Sequence, residues 1–507
     1  MNSHSSLLSS PEFTFGVEPS AAVADVLARI AKQRERRQSN KVLHGHPSPM
    51  FWNEREPPMD AIFAARKQAD SVMSKRSNIY VATPYCLKTL PDRCGFCLFP
   101  SEDFRGQEQL QTYLRYLAKE AEMLRPHTEG EKVATVYFGG GTSNLYRAED
   151  YAPLVAIARS LYDVAEGAEI TLEGIPQLFT REKLVAMKEA GVNRVSVGAQ
   201  QLDDEMIKLS GRKQTAKQVF DTIAWCHEIG LEVSVDMIFG WPGQTVDRML
   251  DDLAALVAAG LRHITHYELS VAGRSDFAKN HRDTLPSIQD NRTLYNESKT
   301  FLEGHGFRQS TVYDWERGNS DTREGKYLYE ENLRQIFSVD ADGRVVRNDM
   351  VGLGFAGVTV SLGTPADPGW NVMNATRVDD YFAALDRGRL PVDRAYHHDA
   401  ADIRLVQIFQ CLQSGRIDRR VYRTVFGLDV VDEFAVELEA LERTGWVKCS
   451  AESVDLVGDG AFFTPLIQGI LAHGRVEGIR ARAAASVAPT TSRLVQVRTP
   501  ARASHPS

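Results

Sequence analysis

NIYVATPYCLKTLPDRCGFC, residues 78–97, carries the two signals on which the fold turns. Its first six residues form a short, largely apolar run with β-branched and aromatic side chains, the pattern of a strand covered on both faces. The remainder places Cys86, Cys94 and Cys97 at C-x7-C-x2-C directly after that strand. Outward from here the rhythm repeats. VATVYFGGG (133–141), EITLEG (169–174), RVSVGAQ (194–200), EVSVDMIFG (232–240) and HITHYELS (263–270) are runs of the same kind. Amphipathic stretches separate them: Glu108 to Leu124 sets Leu110, Tyr113, Leu114, Leu117 and Met123 along one side, and Thr180 to Ala190 ends at Gly191, a C-terminal cap. Six strand-then-helix units predict an α/β fold, a partial (β/α)6 TIM-like barrel with its chemistry at the C-terminal ends of the strands.

The rest of the 507-residue chain organises around this core. Residues 1–45 are polar with a helical patch from Ala21 to Arg37 and read as a flexible segment, and 46–77 lead into the barrel at 78–300. An extension at the barrel mouth is expected over 301–395, and a small, mainly helical, possibly winged domain over 396–473, ending in the hairpin-like VKCSAESVDLVG. The Ala-, Arg- and Ser-rich stretch 474–507 reads as a disordered tail. A net charge of −8 and a pI near 6.0 give no electrostatic reason to expect nucleic acid or an anionic membrane. The longest apolar runs, such as Leu253 to Leu261, are too short to span a bilayer, and the N-terminus lacks a secretory pattern, so the expected location is cytoplasmic.

Six cysteines in so long a chain do not make a disulfide scaffold. Cys226, Cys411 and Cys449 are isolated and read as small buried hydrophobes. Cys94 and Cys97 alone fit a dithiol pair or half a zinc site, but neither reading uses Cys86. Three thiolates can instead hold three irons of a 4Fe-4S cluster and leave the fourth iron open to a cofactor.

With these motifs in order, residues 78–300 resemble the radical S-adenosylmethionine (SAM) superfamily and, within it, the oxygen-independent coproporphyrinogen III oxidase-like (HemN-type) proteins. Tyr80 stands six residues before Cys86 as in that family, and Phe96 takes its aromatic place before the last cysteine. The loop between the first two cysteines, Leu87 to Arg93, has seven residues where the family's motif has three. The resemblance implies a 4Fe-4S cluster on Cys86, Cys94 and Cys97, and SAM held against it. Gly139, Gly140, Gly141 and Thr142 match the family's G-G-G-T turn, with Ser143 in place of its proline. Glu173 matches the acid that binds the SAM amino group, Gln200 and Asp236 the residues that meet the ribose hydroxyls, and Arg212 the partner of the carboxylate. Tyr267 and Glu268, expected to face the cavity, match a segment that helps hold a second SAM.

Cleavage of SAM to a 5′-deoxyadenosyl radical is the implied chemistry, with a flavodoxin- or ferredoxin-type electron donor and a small-molecule substrate as partners. The N-terminal segment rich in Tyr and Arg that marks the oxidases is absent from residues 1–77. The altered cysteine loop and divergent C-terminal half instead point to a methyltransferase or a cyclopropane- or carbon–carbon-bond-forming enzyme acting on a specialised metabolite or tetrapyrrole. An oxidative decarboxylase is the first alternative. A haem chaperone on the same scaffold is the second, although the His-Asn motif of such chaperones is not evident near Tyr327 to Asn332.

Overall fold

The computed structural model describes residues 18–36, 45–271, 273, 275–318, 327–364 and 367–486. Each apolar run becomes a strand: β1 (Ser74–Thr83), β2 (Lys132–Gly140), β3 (Asp163–Gly174), β4 (Arg194–Gln200), β5 (Glu232–Phe239) and β6 (His263–Glu268). They pair in chain order, every pair parallel. Parallel neighbours need a crossover, and the amphipathic stretches supply it as α1 (Gln107–Thr128), α2 (Tyr151–Leu161), α3 (Arg181–Ala190), α4 (Ala216–Ile229) and α5 (Val246–Ala258). On α1, Leu110, Tyr113, Leu114 and Leu117 are buried against Ile79, Val81, Val136 and Phe138 of the first two strands, while Met123 is only half-buried. Gly191 ends α3 in the left-handed conformation expected of a cap.

The barrel is partial. The edge of β1 away from β2 is taken by the parallel strand Val345–Gly354, with Ser74 opposite Val346 and Ala82 opposite Gly354. Antiparallel strands Val358–Thr364, Asp367–Asn374 and Val392–His397 continue from it, and Asp314–Glu316 lines the edge of β6. The extension expected at the barrel mouth over 301–395 therefore gives the sheet itself the strands Val345–Gly354 and Val358–Thr364.

Beyond this sheet, helices such as Ala400–Gln413 and Thr464–Leu471 pack with a three-stranded antiparallel sheet, in which Val447–Cys449 and Ser453–Leu456 form the expected hairpin. Two terminal segments differ from the sequence reading. Helix Ala21–Arg34 is not loose: Val23, Val26 and Ile30 are buried in the core of the C-terminal helices. The tail begins as a helix, His473–Ser486, and Arg475 pairs with Asp399 and Asp402. Residues 1–17, 37–44 and 487–507, also read as flexible or disordered, lie outside the described residues. Among the described residues no helix is long and apolar enough to cross a membrane.

The N-terminal end of the sheet is fastened by a buried ionic cluster. Arg66 Nε donates to Asp349 (2.9 Å), and Arg66 Nη1 and Nη2 donate to Glu131 (2.8 and 2.7 Å). With Arg66 and Asp349 side chains fully buried, loss of the cation breaks the tighter of two buried pairs and leaves Asp349 only the 3.6 Å contact with Arg347. Arg66→Ala is expected to cost about 3–5 kcal/mol in denaturant unfolding; a loss under about 1 kcal/mol, the range of an exposed pair, would show that the cluster does not fasten the sheet.

Candidate active site

After β1 the chain passes Pro84 into a two-residue strand, Tyr85–Cys86, that pairs in parallel with Glu102–Asp103. This pairing closes the base of the cysteine loop. Gly141 N–H donates to Thr83 O (2.7 Å) and Thr142 N–H to Tyr85 O (2.8 Å), so the end of β2 is pinned to the backbone that carries Cys86. A Cβ on Gly141 would lie 2.6 Å from Tyr85 O. The glycine run thus serves close approach to the protein's own strand, beyond the ligand contact expected of it.

The seven-residue loop is built, not slack. Thr89 Oγ1 donates to the Pro91 carbonyl (2.7 Å) and accepts from Cys94 N–H (3.0 Å). Arg93, Cys94 and Gly95 follow one another with φ of 53°, 57° and 74°. Left-handed backbone at two residues with side chains is strained and persists only where surrounding contacts dictate it. Here Cys97 N–H donates back to Arg93 O (3.1 Å), and Phe277 N–H donates to Gly95 O (2.9 Å).

The result is a cavity of about 350 Å³ at the C-terminal ends of the strands, onto which all three cluster-loop cysteines open. The other expected residues that line it are Phe96, Gly140, Gly141, Thr142, Glu173, Gln200 and Arg212. None of the six cysteines is bridged. Burial pushes the thiols of Cys86 and Cys97 up, Cys97 to about 11, against hydrogen bonds from Thr142 and Ser101 to Cys86 and from the Phe99 backbone to Cys97. Without a cation those sulfurs stay protonated; metal binding would displace the protons. Among the described residues no group of three His, Cys, Asp or Glu could hold a lone metal ion, whereas each iron of a cluster takes one thiolate.

Beside the cysteines, Arg212 donates to Gly198 O and to Gln214 Oε1 (2.8 Å), with Nη1 3.8 Å from Cys94 Sγ. Gln200, at the end of β4, adopts φ 68° and folds its amide back over Gly198, where a Cβ would meet Nε2 at 3.0 Å.

Five expected residues are placed differently. Tyr80 and Gly139 lie behind Glu173, with Tyr80 stacked on Tyr137 (ring centroids 5.7 Å) and Tyr137 stacked on Tyr329 (4.7 Å). Asp236 does not line the cavity; its carboxylate accepts from Ser196 Oγ (3.0 and 3.2 Å). Tyr267 does not line it either, because its ring packs toward Tyr313 (5.3 Å), and Glu268 accepts a hydrogen bond from Asn291 (2.7 Å). The expectation that Tyr267 and Glu268 face the cavity is corrected accordingly. Thr89, Ser101, Tyr137 and Lys213 join the site without having been singled out in the sequence, since a lone hydroxyl or lysine beside the cysteine, glycine and arginine motifs carries no spacing signal of its own.

Glu173 is the electrostatic feature of the site. Burial deep in the barrel, then repulsion from Asp236, push its carboxyl up to about 8, against a hydrogen bond from Tyr137 (3.3 Å) and the pull of Arg212. Burial likewise raises Asp236 to about 6. Such a pair is completed by a bound cation. In the ligand-free protein the raised Glu173 costs nothing below pH 4.5, where the carboxyl is protonated folded or unfolded. Stability is then lost as pH rises toward the folded value of about 8. Urea unfolding of ligand-free protein at pH 5 and pH 8 should show a loss on the order of 3 kcal/mol, and Glu173→Gln should remove most of it. An unchanged slope in that variant would assign the pH dependence elsewhere.

Comparison with known proteins agrees with this geometry. The model of the radical SAM superfamily matches residues 82–256. The chain is similar to the mitochondrial radical S-adenosyl methionine domain-containing protein 1 of Mus musculus, 34% identical over 272 residues, or 53% of this chain and 60% of that protein. It is also similar to the heme chaperone HemW of Bacillus subtilis, 26% identical over 280 residues that cover 54% of this chain and 73% of that one. The chain thus spans less than two thirds of the mouse relative. Among solved structures, coproporphyrinogen III oxidase (HemN) from Escherichia coli superposes with a TM-score of 0.71, covering 85% of this chain and 96% of that one at 20% identity, a likeness of fold. Residues 82–256 thus match the radical SAM superfamily model, and the chain has a fold like that of HemN.

Proposed function

We propose that the chain binds a 4Fe-4S cluster through Cys86, Cys94 and Cys97, holds SAM beside it and acts on a small molecule. The observation that carries this reading is the convergence on one cavity of three unbridged cysteines, Arg212 and the deep carboxyl of Glu173. The residues fit the group: soft thiols suit iron, and a raised carboxyl suits an ammonium. When bound, the reduced cluster supplies the electron that splits SAM into methionine and a 5′-deoxyadenosyl radical. The chain's own residues then bind and exclude. Glu173, relieved of its proton, pairs with the amino group of SAM, and Arg212 pairs with the carboxylate. Gln200 offers its amide at the rim. Asp236, set back from the cavity, acts on Glu173 by raising its proton affinity. Leu87, Phe96, Phe99 and Ile175 keep the cavity wall apolar and limit water.

For the reaction class we favour methyl transfer or carbon–carbon bond formation, on the strength of the enlarged cysteine loop and the divergent C-terminal half. We place one SAM at this cavity, which Tyr267 does not line. A haem chaperone is the second reading, favoured by the similarity to HemW.

Anaerobic reconstitution with iron and sulfide, followed by product analysis, tests these readings. 5′-Deoxyadenosine with S-adenosylhomocysteine indicates methyl transfer; 5′-deoxyadenosine with carbon dioxide indicates oxidative decarboxylation; stoichiometric haem with neither product indicates the chaperone. Cys94→Ala should lose iron and all SAM cleavage, and a variant that still turned over would remove Cys94 from the ligand set. Arg212→Ala should keep its iron and weaken SAM binding by about 1.5–3 kcal/mol, read by equilibrium dialysis of labelled SAM.

A further inference from the structure

Resting on the cluster reading above, we infer that the enlarged loop between Cys86 and Cys94, with Leu98 beyond it, is the docking face for an acidic one-electron carrier protein. The side chain of Leu90 stands 90% exposed at the tip of this loop, and that of Leu98 is 52% exposed just past Cys97. A single exposed leucine on a protein surface needs no explanation. Two on the segment that carries all three cavity cysteines, on a loop held in one shape, do.

The loop is clamped from three directions. Thr89 staples it from within, between Pro91 O and Cys94 N–H. The turn before Arg212 supports it from one side: a Cβ on Gly211 would fall 2.4 Å from Leu90 O and 2.9 Å from Pro91 N, so only glycine allows that approach. Phe277 supports it from another side, where a Cβ on Gly95 would meet the Phe277 ring at 2.6 Å and Pro91 Cγ at 2.9 Å. These contacts fix the backbone and leave the Leu90 side chain outside them. A pre-ordered apolar tip loses little entropy when a partner covers it.

Charge selects the partner. The chain as a whole carries −8, which repels an acidic protein from most of its surface. Around the loop the balance turns to cations, with Lys88, Arg93, Arg105 and Lys213 facing solvent and Arg212 behind them, against Asp92, Glu102 and Asp103. The Lys88–Asp103 and Arg93–Asp92 pairs are exposed and long, 3.7 and 3.8 Å, and neutralise little. Weak redox complexes use small interfaces in which a few apolar side chains sit within complementary charge. Leu90 is four residues from both Cys86 and Cys94, so a carrier seated on it stands next to the ligand loop. One electron leaves the reduced carrier and enters the cluster; no bond forms or breaks, and no proton moves at the interface.

Leu90→Asp puts a like charge at the tip without touching a residue that lines the cavity. The test uses reconstituted protein, with reduced bacterial flavodoxin as the carrier and dithionite as a reductant too small to need docking. Relative to the unsubstituted protein, Leu90→Asp should form 5′-deoxyadenosine at an unchanged rate with dithionite and lose about tenfold in kcat/KM for flavodoxin. The Kd of flavodoxin for the holoprotein, measured by fluorescence titration, should rise by about the same factor, while Leu90→Met should stay near the unsubstituted value. Equal losses with both reductants would show that the loop supports the cluster and does not dock a carrier. Unchanged flavodoxin binding in Leu90→Asp would place the docking face elsewhere. Failure of the unsubstituted protein to cleave SAM with dithionite would overturn the enzymatic reading, and the flavodoxin Kd would still decide the docking face.

Discussion

Two backbone hydrogen bonds, from Gly141 and Thr142 at the end of β2 to Thr83 and Tyr85 beyond β1, set the position of everything at the site. Parallel strands ordinarily separate beyond their last shared rung, because the side chains of the connecting turns need room. The glycine run removes that requirement, and the distance a Gly141 Cβ would keep from Tyr85 O shows how little room there is. Cys86 is fixed against the β2 end, and Thr142 then reaches its sulfur. Cys94 and Cys97 are tied to the same frame through the Thr89 staple and the Gly95–Phe277 contact. A shift of one ångström at the glycines would move one thiol relative to the other two, and metal clusters tolerate little of that.

The second constraint is electrostatic. Glu173 and Asp236 come from β3 and β5, with β4 between them, and Asp236 stands among the buried side chains of Ser196, His263, Thr265 and Asp314. Among the described residues neither carboxyl forms a salt bridge; the pull of Arg212 on Glu173 and of His263 on Asp236 is partial, and Arg212 spends its donors on Gly198, Gln214 and Cys94. A fold that keeps two carboxyls in this condition gives up stability unless a cation arrives, and an ammonium-bearing cofactor next to thiol ligands relieves both costs together.

Much of this was legible in the sequence because it is local. The six strands are short β-branched runs, the cysteines and glycines follow strand ends, and helix caps such as Gly191 announce themselves. What the sequence could not show is what depends on register and curvature. The strand Val345–Gly354 joins β1 from more than 260 residues away, and no local pattern distinguishes a sheet strand there from a flap at the mouth. Tyr80 and Tyr137 become stacked neighbours because they are paired across adjacent strands, which the spacing within each strand does not reveal. Asp236 and Tyr267 sit on β5 and β6, which give the cavity none of its lining residues, and their side chains turn to Ser196 and Tyr313. The helix Ala21–Arg34 lies in a polar N-terminal segment, and its three buried aliphatic side chains find their core only in the C-terminal domain.

The central claim is that three thiolates hold a cluster with one iron left open for SAM. Electron paramagnetic resonance of the anaerobically reconstituted, reduced protein tests it directly, recorded with and without SAM. The account predicts the signal of a reduced 4Fe-4S cluster whose g-values shift when SAM is added, because the cofactor becomes a ligand of the open iron. A cluster signal that SAM leaves unchanged, or no cluster signal after reconstitution, would contradict it.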